Sequence, residues 1–126
     1  MVLGHIHDQH PSLLEPYLPQ IIKHLRHPDI HDAIKRNIVR ILHNVKIPEE
    51  HYGEVADICF TYLEDPNVAV AIRAFSMTVL WNICQEVPEL MPELRATIED
   101  LLDYSSAGFK SRGKKILKMI GERSKE

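Results

Sequence analysis

The sequence predicts an all-α solenoid, in which pairs of helices stack side by side along the chain. Apolar residues recur at helical spacings of three and four, and no stretch alternates apolar with polar residues. The chain of 126 residues also repeats itself about every 38 residues, and a period of that length is typical of stacked helix pairs. We therefore expect about three helix pairs, preceded by half of a helix.

The repeat is clearest at the turn inside each unit. Residues 28–35 contain Pro-Asp and then Ala-Ile-Lys, and residues 66–73 contain Pro-Asn and then Ala-Ile-Arg at the same spacing. The residue after each proline, Asp29 or Asn67, is a candidate N-cap for the helix that follows. Residues 105–108 replace this turn with Ser-Ser-Ala-Gly. The third unit is therefore predicted to be either an ordinary repeat or a terminal cap.

Six helices follow from the apolar pattern and from the positions of the prolines. Pro28 and Pro66 cannot continue the interior of a helix, whereas Pro48 and Pro88 suit a first turn, where the missing N–H is not needed. The predicted helices cover residues 12–26, 30–46, 49–64, 68–86, 89–103 and 107–123.

The second helix of the first unit shows why the units must stack. Its apolar residues form one stripe of the width that a core-facing helix needs. They are Ile34, Ile38, Ile41, Leu42 and Val45. An isolated pair could not bury this stripe on both sides, so we expect each unit to be covered by its neighbours.

The repeat divides a single domain, residues 1–126, into four segments. They are a partial preceding repeat at 1–10, repeat 1 at 11–47, repeat 2 at 48–87, and repeat 3 or a C-terminal cap at 88–126. The first segment matches the end of a second helix, because Val2, Leu3 and Ile6 align with apolar positions of the helix at 68–86. We interpret it as the remainder of a truncated unit rather than a natural cap. An uncovered apolar stripe there is expected to promote self-association through the N-terminal end.

Composition places the chain among ordinary soluble domains, with 44% hydrophobic and 26% charged residues. No apolar run approaches the roughly 20 residues that span a bilayer. No secretory signal is visible at the N-terminus, so a cytoplasmic location is expected. Cys59 and Cys84 are expected to act as small hydrophobic residues rather than to form a disulfide.

These features resemble a HEAT or armadillo-type helical repeat, and the HEAT type is preferred. The resemblance rests on the turn followed by Ala33-Ile34-Lys35-Arg36, and on its second copy at 65–73, and it covers residues 1–120. It implies a right-handed α-solenoid (an α-α superhelix) that acts as a protein-interaction scaffold. The chain is similar to a short bacterial HEAT-like protein or to a fragment of a longer one.

Charge is unevenly distributed along the chain. Residues 47–106 carry two basic and twelve acidic side chains, whereas residues 107–126 carry seven basic and two acidic ones. The acidic residues fall mainly on the first helices of the later pairs, and the basic residues on the second helices. In HEAT arrays the second helices usually line the concave surface, so the resemblance implies a basic inner face and an acidic outer one.

The candidate binding residues lie along the second helices. They are Lys35, Arg36, Arg40, His43, Arg73, Met77, Trp81, Lys110, Arg112, Lys114 and Lys118. We predict that they bind an acidic or extended protein segment, since basic residues that line a groove concentrate the field toward an anion. Aromatic residues, Met and Arg are also enriched at binding hot spots. Two alternatives stay open, namely that Trp81 packs between repeats and that the charged faces are merely solvated.

Other functions are less well supported by the residues. Nucleic-acid binding in the manner of HEAT-like DNA glycosylases would use Arg73, Trp81 and Asp32, but the net charge of −3 and the pI near 6.2 disfavour it. An all-α lyase would need a Met-Pro after Ser105-Ser106, which is absent. The C-terminal helix could lie on a membrane, but its apolar positions match the repeat core. We therefore predict a non-catalytic protein without a cofactor or a membrane partner.

All eight histidines lie within the first 51 residues. His24, His27 and His31 surround the first turn and are weak candidates for a metal site. Zinc needs three or four converging nitrogen, sulfur or carboxylate ligands, and no cysteine lies near these histidines. We predict that they are surface residues and that no metal binds.

Overall fold

The computed structural model describes residues 16–26, 30–103 and 105–124. Across this part of the chain the secondary structure is helical, with no strand, and the predicted all-α class is confirmed. The helices are α1 Leu18–Leu25, α2 Asp32–Asn44, α3 Tyr52–Glu64, α4 Val70–Cys84, α5 Met91–Leu102 and α6 Ala107–Ser124. Short 3-10 helices, Glu49–His51 and Pro88–Leu90, lead into α3 and α5.

The prolines lie where the sequence predicts helix starts, but one predicted cap is wrong. Pro48 immediately precedes one 3-10 helix and Pro88 opens the other. Asn67 does not cap α4, because this helix begins only at Val70. Instead, the backbone N–H of Asn67 donates to Asp65 Oδ1 at 2.9 Å. A short acidic side chain that binds the backbone two residues later forms a tight turn by itself, so Asp65 is the residue that shapes this connection.

The helices pack in two layers around α4. The second helices α2, α4 and α6 lie side by side, and α4 contacts both of its neighbours in that layer. In the other layer α3 packs on α4 and α5 packs on α6, while α1 packs on α2. The central position of α4 explains why its sequence is almost uniformly apolar.

One continuous core joins the two layers. On α4, Ile72, Val79, Leu80 and Ile83 are each at most 1% exposed. Complete burial of such a side chain stabilises a fold by about 1.5–3 kcal/mol. Cys59 lies in the same core as a free thiol, and burial raises its pKa to about 12. It is therefore protonated at neutral pH and packs as a small hydrophobic residue.

The stripe predicted on α2 is buried in its central part. Ile38, Ile41 and Leu42 are at most 2% exposed. Ile34, in the first turn of the helix, is 39% exposed. The stripe is therefore buried in the middle of α2 and more exposed in its first turn.

The third unit replaces the proline turn by a serine cap. The Ser106 hydroxyl, just before α6, accepts a hydrogen bond from the backbone N–H of Phe109 at 3.4 Å. Ser105 donates its hydroxyl to the Leu101 carbonyl at the end of α5. Both serines thus satisfy backbone groups at helix ends, which accounts for their occurrence in the turn.

Several predictions fall on residues outside the described ranges. They concern the partial repeat at 1–10 with its apolar stripe, the turn residues Pro28 and Asp29, and His27. Self-association through the N-terminal end stays a prediction for the same reason.

Candidate interaction face

The solvent side of α2, α4 and α6 forms one surface, which we call the second-helix face. It is defined by Arg36 and Arg40 on α2, Ala71, Ala74 and Thr78 on α4, and Ser111 and Lys115 on α6, none of which is buried. Arg40, Thr78 and Lys115 occupy the same position in successive repeats, so they lie side by side across the three helices.

Arg73 and Met77, which were predicted to bind a partner, are buried and form no part of this face. Arg73 is 6% exposed and Met77 is 0% exposed. The Arg73 guanidinium donates two hydrogen bonds to the Leu63 carbonyl, at 3.0 and 2.8 Å. It also lies 4.5 Å from the centre of the Phe109 ring. Arg73 therefore connects α4 with the end of α3 and the start of α6.

The burial of Arg73 also affects the pKa of its guanidinium. Desolvation lowers the pKa of its guanidinium, and the nearby Asp65 carboxylate partly offsets this effect by raising it. A charged group in this environment is retained because its hydrogen bonds satisfy a carbonyl at a helix end. The basic residue early in the second helix is thus a structural contact within the unit.

Lys35 occupies the equivalent position on α2 and also turns away from the second-helix face. Its Nζ lies 5.4 Å from the centre of the Tyr62 ring on α3. The Tyr62 hydroxyl in turn donates to the Leu25 carbonyl at 3.0 Å. Burial raises the pKa of Tyr62 to about 12, so this hydroxyl keeps its proton at neutral pH. Lys110 shares the same repeat position on α6 and is half-buried.

His43 and Trp81 lie at the edges of the second-helix face and are both half-buried. The His43 ring centre is 5.8 Å from that of Phe75, and the His43 carbonyl accepts a hydrogen bond from Asn82 Nδ2 at 3.1 Å. Trp81 packs against the core with part of its ring exposed. Packing between repeats therefore accounts for part of the Trp81 surface, and the remainder is accessible.

The basic side chains of α6 point in two different directions. Arg112 is half-buried and donates to the Thr78 hydroxyl of α4. Lys114, Lys115 and Lys118 are exposed. Lys114 shares its repeat position with the buried Met77, so it points along the stack, away from α4. Lys115 shares its position with Thr78 and lies on the second-helix face.

Lys115, Ala74 and Thr78 were not among the predicted binding residues. On α4 the predicted residues follow the row of Arg73 and Met77, which is buried between α4 and α6. The signal that identifies the exposed row is the alignment of Arg40 with Thr78 and Lys115 at successive repeat positions.

The first helices carry exposed acidic residues on the opposite side of the domain. Arg26 forms ion pairs with Glu54 and Asp57 on α3, with nitrogen–oxygen distances of 2.8 and 3.3 Å. Arg95 and Glu99 form a further pair on α5, at 2.9 Å. All five side chains are more than 40% exposed, so these pairs contribute little to stability.

A cleft of about 270 Å³ lies at the end of α2 and α4. It is lined by residues of the connection from α2 to α3, including Lys46 and Tyr52, and by Asn82 and Glu86. The lining contains both polar and apolar residues. Of the predicted partner-binding residues, His43 alone lines this cleft.

Neither a metal cluster nor a membrane-spanning helix occurs in the described residues. His24 and His31 are exposed, and within residues 16–26, 30–103 and 105–124 no three His, Cys, Asp or Glu side chains converge as metal ligands. None of the described helices is both long and apolar enough to cross a lipid bilayer.

Comparison with known proteins confirms the predicted resemblance. A family model described as a HEAT repeat domain matches residues 1–120. No curated protein and no solved structure gave a significant match. HEAT repeats are generally protein-interaction scaffolds and are typically non-enzymatic. The match spans nearly the whole chain and agrees with its layers of paired helices, so the chain belongs to the HEAT repeat family.

Proposed function

We propose that this HEAT domain is a non-catalytic scaffold that binds an acidic protein segment on its second-helix face. The observation that supports the proposal most directly is the arrangement of charge. Arg36 and Arg40 on α2 and Arg112 and Lys115 on α6 flank α4, whose only ionised side chain, Arg73, is buried. A partner that crosses this face meets basic groups on both sides.

Several basic groups are needed for charge to contribute to the binding of a partner. A single exposed ion pair contributes about 0–1 kcal/mol, and physiological salt screens charges beyond about 8 Å. Arg36 and Arg40 are one helical turn apart, and Arg112 and Lys115 are about one turn apart. Each set therefore acts within the screening length and attracts anionic groups jointly.

A protein partner is favoured over nucleic acid. The acidic first helices repel a polyanion that is longer than the second-helix face. At the centre of the face, Ala74 and Thr78 carry no charge, and the Arg112 guanidinium is bonded to the Thr78 hydroxyl. A row of phosphates, which dominate nucleic-acid affinity, would therefore make few ionic contacts there. A site like that of a DNA glycosylase would also need Arg73 to contact the nucleic acid. The Arg73 guanidinium instead donates buried hydrogen bonds to the Leu63 carbonyl.

Affinity capture from a native lysate tests the proposal. The double variant Arg36→Glu/Lys115→Glu is compared with wild type and with Lys23→Glu/Arg95→Glu. The control pair reverses two exposed basic residues of the first helices, so the net charge is matched. We expect proteins captured by wild type and by the control to be lost from the second-helix variant.

Equal recovery by all three proteins would contradict the use of this face. A gel shift with duplex DNA at low salt is the second arm of the experiment. Phosphate binding is strongest when salt is low, so a shift at micromolar protein that Lys115→Glu abolishes would favour nucleic acid instead.

A further inference from the structure

We infer that the occupant of the second-helix face is an amphipathic α-helix, with an apolar stripe that faces α4 and acidic residues on both flanks. This inference rests on the proposed function and specifies the chemistry of the partner. It depends on three features of the face, namely its neutral centre, its two basic borders and the space between them.

The centre of the face is made of small and aromatic groups. Ala71, Ala74 and Thr78 follow one another along the exposed row of α4. Phe75 and Trp81 lie on either side of this row, half-buried and packed against the core. Small side chains between larger ones leave a shallow apolar trough, which could bury an apolar stripe of a partner.

The borders of the trough are basic on both sides. Arg36 and Arg40 follow the α2 side, and Lys115 lies on the α6 side. Arg112 donates to the Thr78 hydroxyl, which holds a further guanidinium at the α6 edge of the trough. Acidic residues on both flanks of the partner would face both of these borders.

The spacing of the borders fits a helix. Packed helices lie about 8–10 Å apart, so the axes of α2 and α6 are separated by about 16–20 Å across α4. A helix with its side chains is about 10–12 Å in diameter. One helix therefore fits above α4, with its flanks over the basic residues of α2 and α6.

An extended strand does not match this pattern. Its side chains alternate between two opposite directions, so it cannot contact a central apolar row and two lateral basic rows together. A helix presents an apolar stripe bordered by polar residues on both sides. Acidic residues four positions apart on the partner would match the one-turn spacing of Arg36 and Arg40.

Intrinsic fluorescence gives a direct test, because Trp81 is the only tryptophan in the chain and borders the trough. The probe is a synthetic peptide of about 18 residues, or five turns. It contains leucines on one stripe, glutamates on both flanks and no tryptophan. One comparison peptide has the same composition in scrambled order, and another carries a central proline, which breaks the helix.

We expect a saturable change in Trp81 emission with the amphipathic peptide, and at least tenfold weaker binding of the scrambled and proline peptides. Arg40→Glu and Lys115→Glu, on opposite borders, should each weaken binding by about tenfold. Lys114→Glu is the matched control, because Lys114 is the exposed neighbour of Lys115 but points away from the trough. Its affinity should stay within about threefold of wild type, and thermal unfolding checks that all variants are folded.

The outcomes separate this inference from the proposed function. Equal binding of the amphipathic and scrambled peptides, with Lys115→Glu weakening both, would overturn the helical occupant and leave an acidic partner on the face. Sensitivity to only one of the two borders, or no binding of any peptide, would also overturn it. The proposed function itself fails if the capture experiment shows the same proteins with the second-helix variant.

Discussion

At the scale of single residues, the chemical type of a residue was easier to predict than the direction in which its side chain points. The basic residue after each Ala-Ile pair was identified from the repeat, but its assignment to a binding surface was wrong for Arg73. A single helix pattern indicates which residues share a row. It does not show that a later helix, here α6 with Phe109, covers that row.

The structural role of Arg73 leads to a prediction about stability. Arg73→Met keeps much of the side-chain volume but removes both hydrogen bonds to the Leu63 carbonyl. Loss of the partner of a buried polar group costs about 1–3 kcal/mol. We expect the free energy of unfolding to fall by about that amount in urea denaturation.

The matched control is Arg36→Met, since Arg36 is exposed on α2. Exposed substitutions of this kind usually change stability by less than about 0.5 kcal/mol. Equal unfolding midpoints for the two variants would show that the Arg73 contacts contribute nothing to stability.

At the scale of the helices, the apolar period and the prolines sufficed to predict the order of the elements. The ends of α2, α4 and α5 lie up to two residues inside the predicted ranges. The connections account for the difference, because short 3-10 helices precede α3 and α5 and Asp65 forms its own turn before α4. Such local hydrogen bonds are not apparent in the apolar period.

The contact between α5 and α6 depends on a glycine. A Cβ atom added at Gly113 would lie 3.1 Å from both Ile98 Cγ2 and Leu102 Cδ1, whereas one at Gly121 would meet nothing within 4 Å. Gly121→Ala should therefore raise the free energy of unfolding by about 0.5–1 kcal/mol, the usual gain within a helix. Gly113→Leu should lower it by about 1–3 kcal/mol, because it overpacks the contact.

Thermal and urea unfolding of both glycine variants would check these values. Wild-type stability in Gly113→Leu would mean that α5 and α6 are not closely packed at this point. The contact between the two helices of the third unit would then have to be revised.

At the scale of the whole molecule, the repeat predicted the family and the layer to which each helix belongs. It did not predict which row of the second layer is open to solvent. Nine of the eleven candidate residues keep some exposed surface, but Arg73 and Met77 are buried and Lys115 was missed. The central helix is covered by α2, α3, α5 and α6, so its exposed row is narrow and emerges only from their combined packing.

The central claim is that the second-helix face is the binding surface. Its most direct test is a two-dimensional ¹H–¹⁵N spectrum of the labelled protein, recorded during titration with a captured partner. We predict that the backbone amides of Arg40, Thr78 and Lys115 shift together, while those of Asp57 and Glu99 on the first helices stay in place. Shifts confined to the first helices, with Arg40, Thr78 and Lys115 unchanged, would contradict the claim.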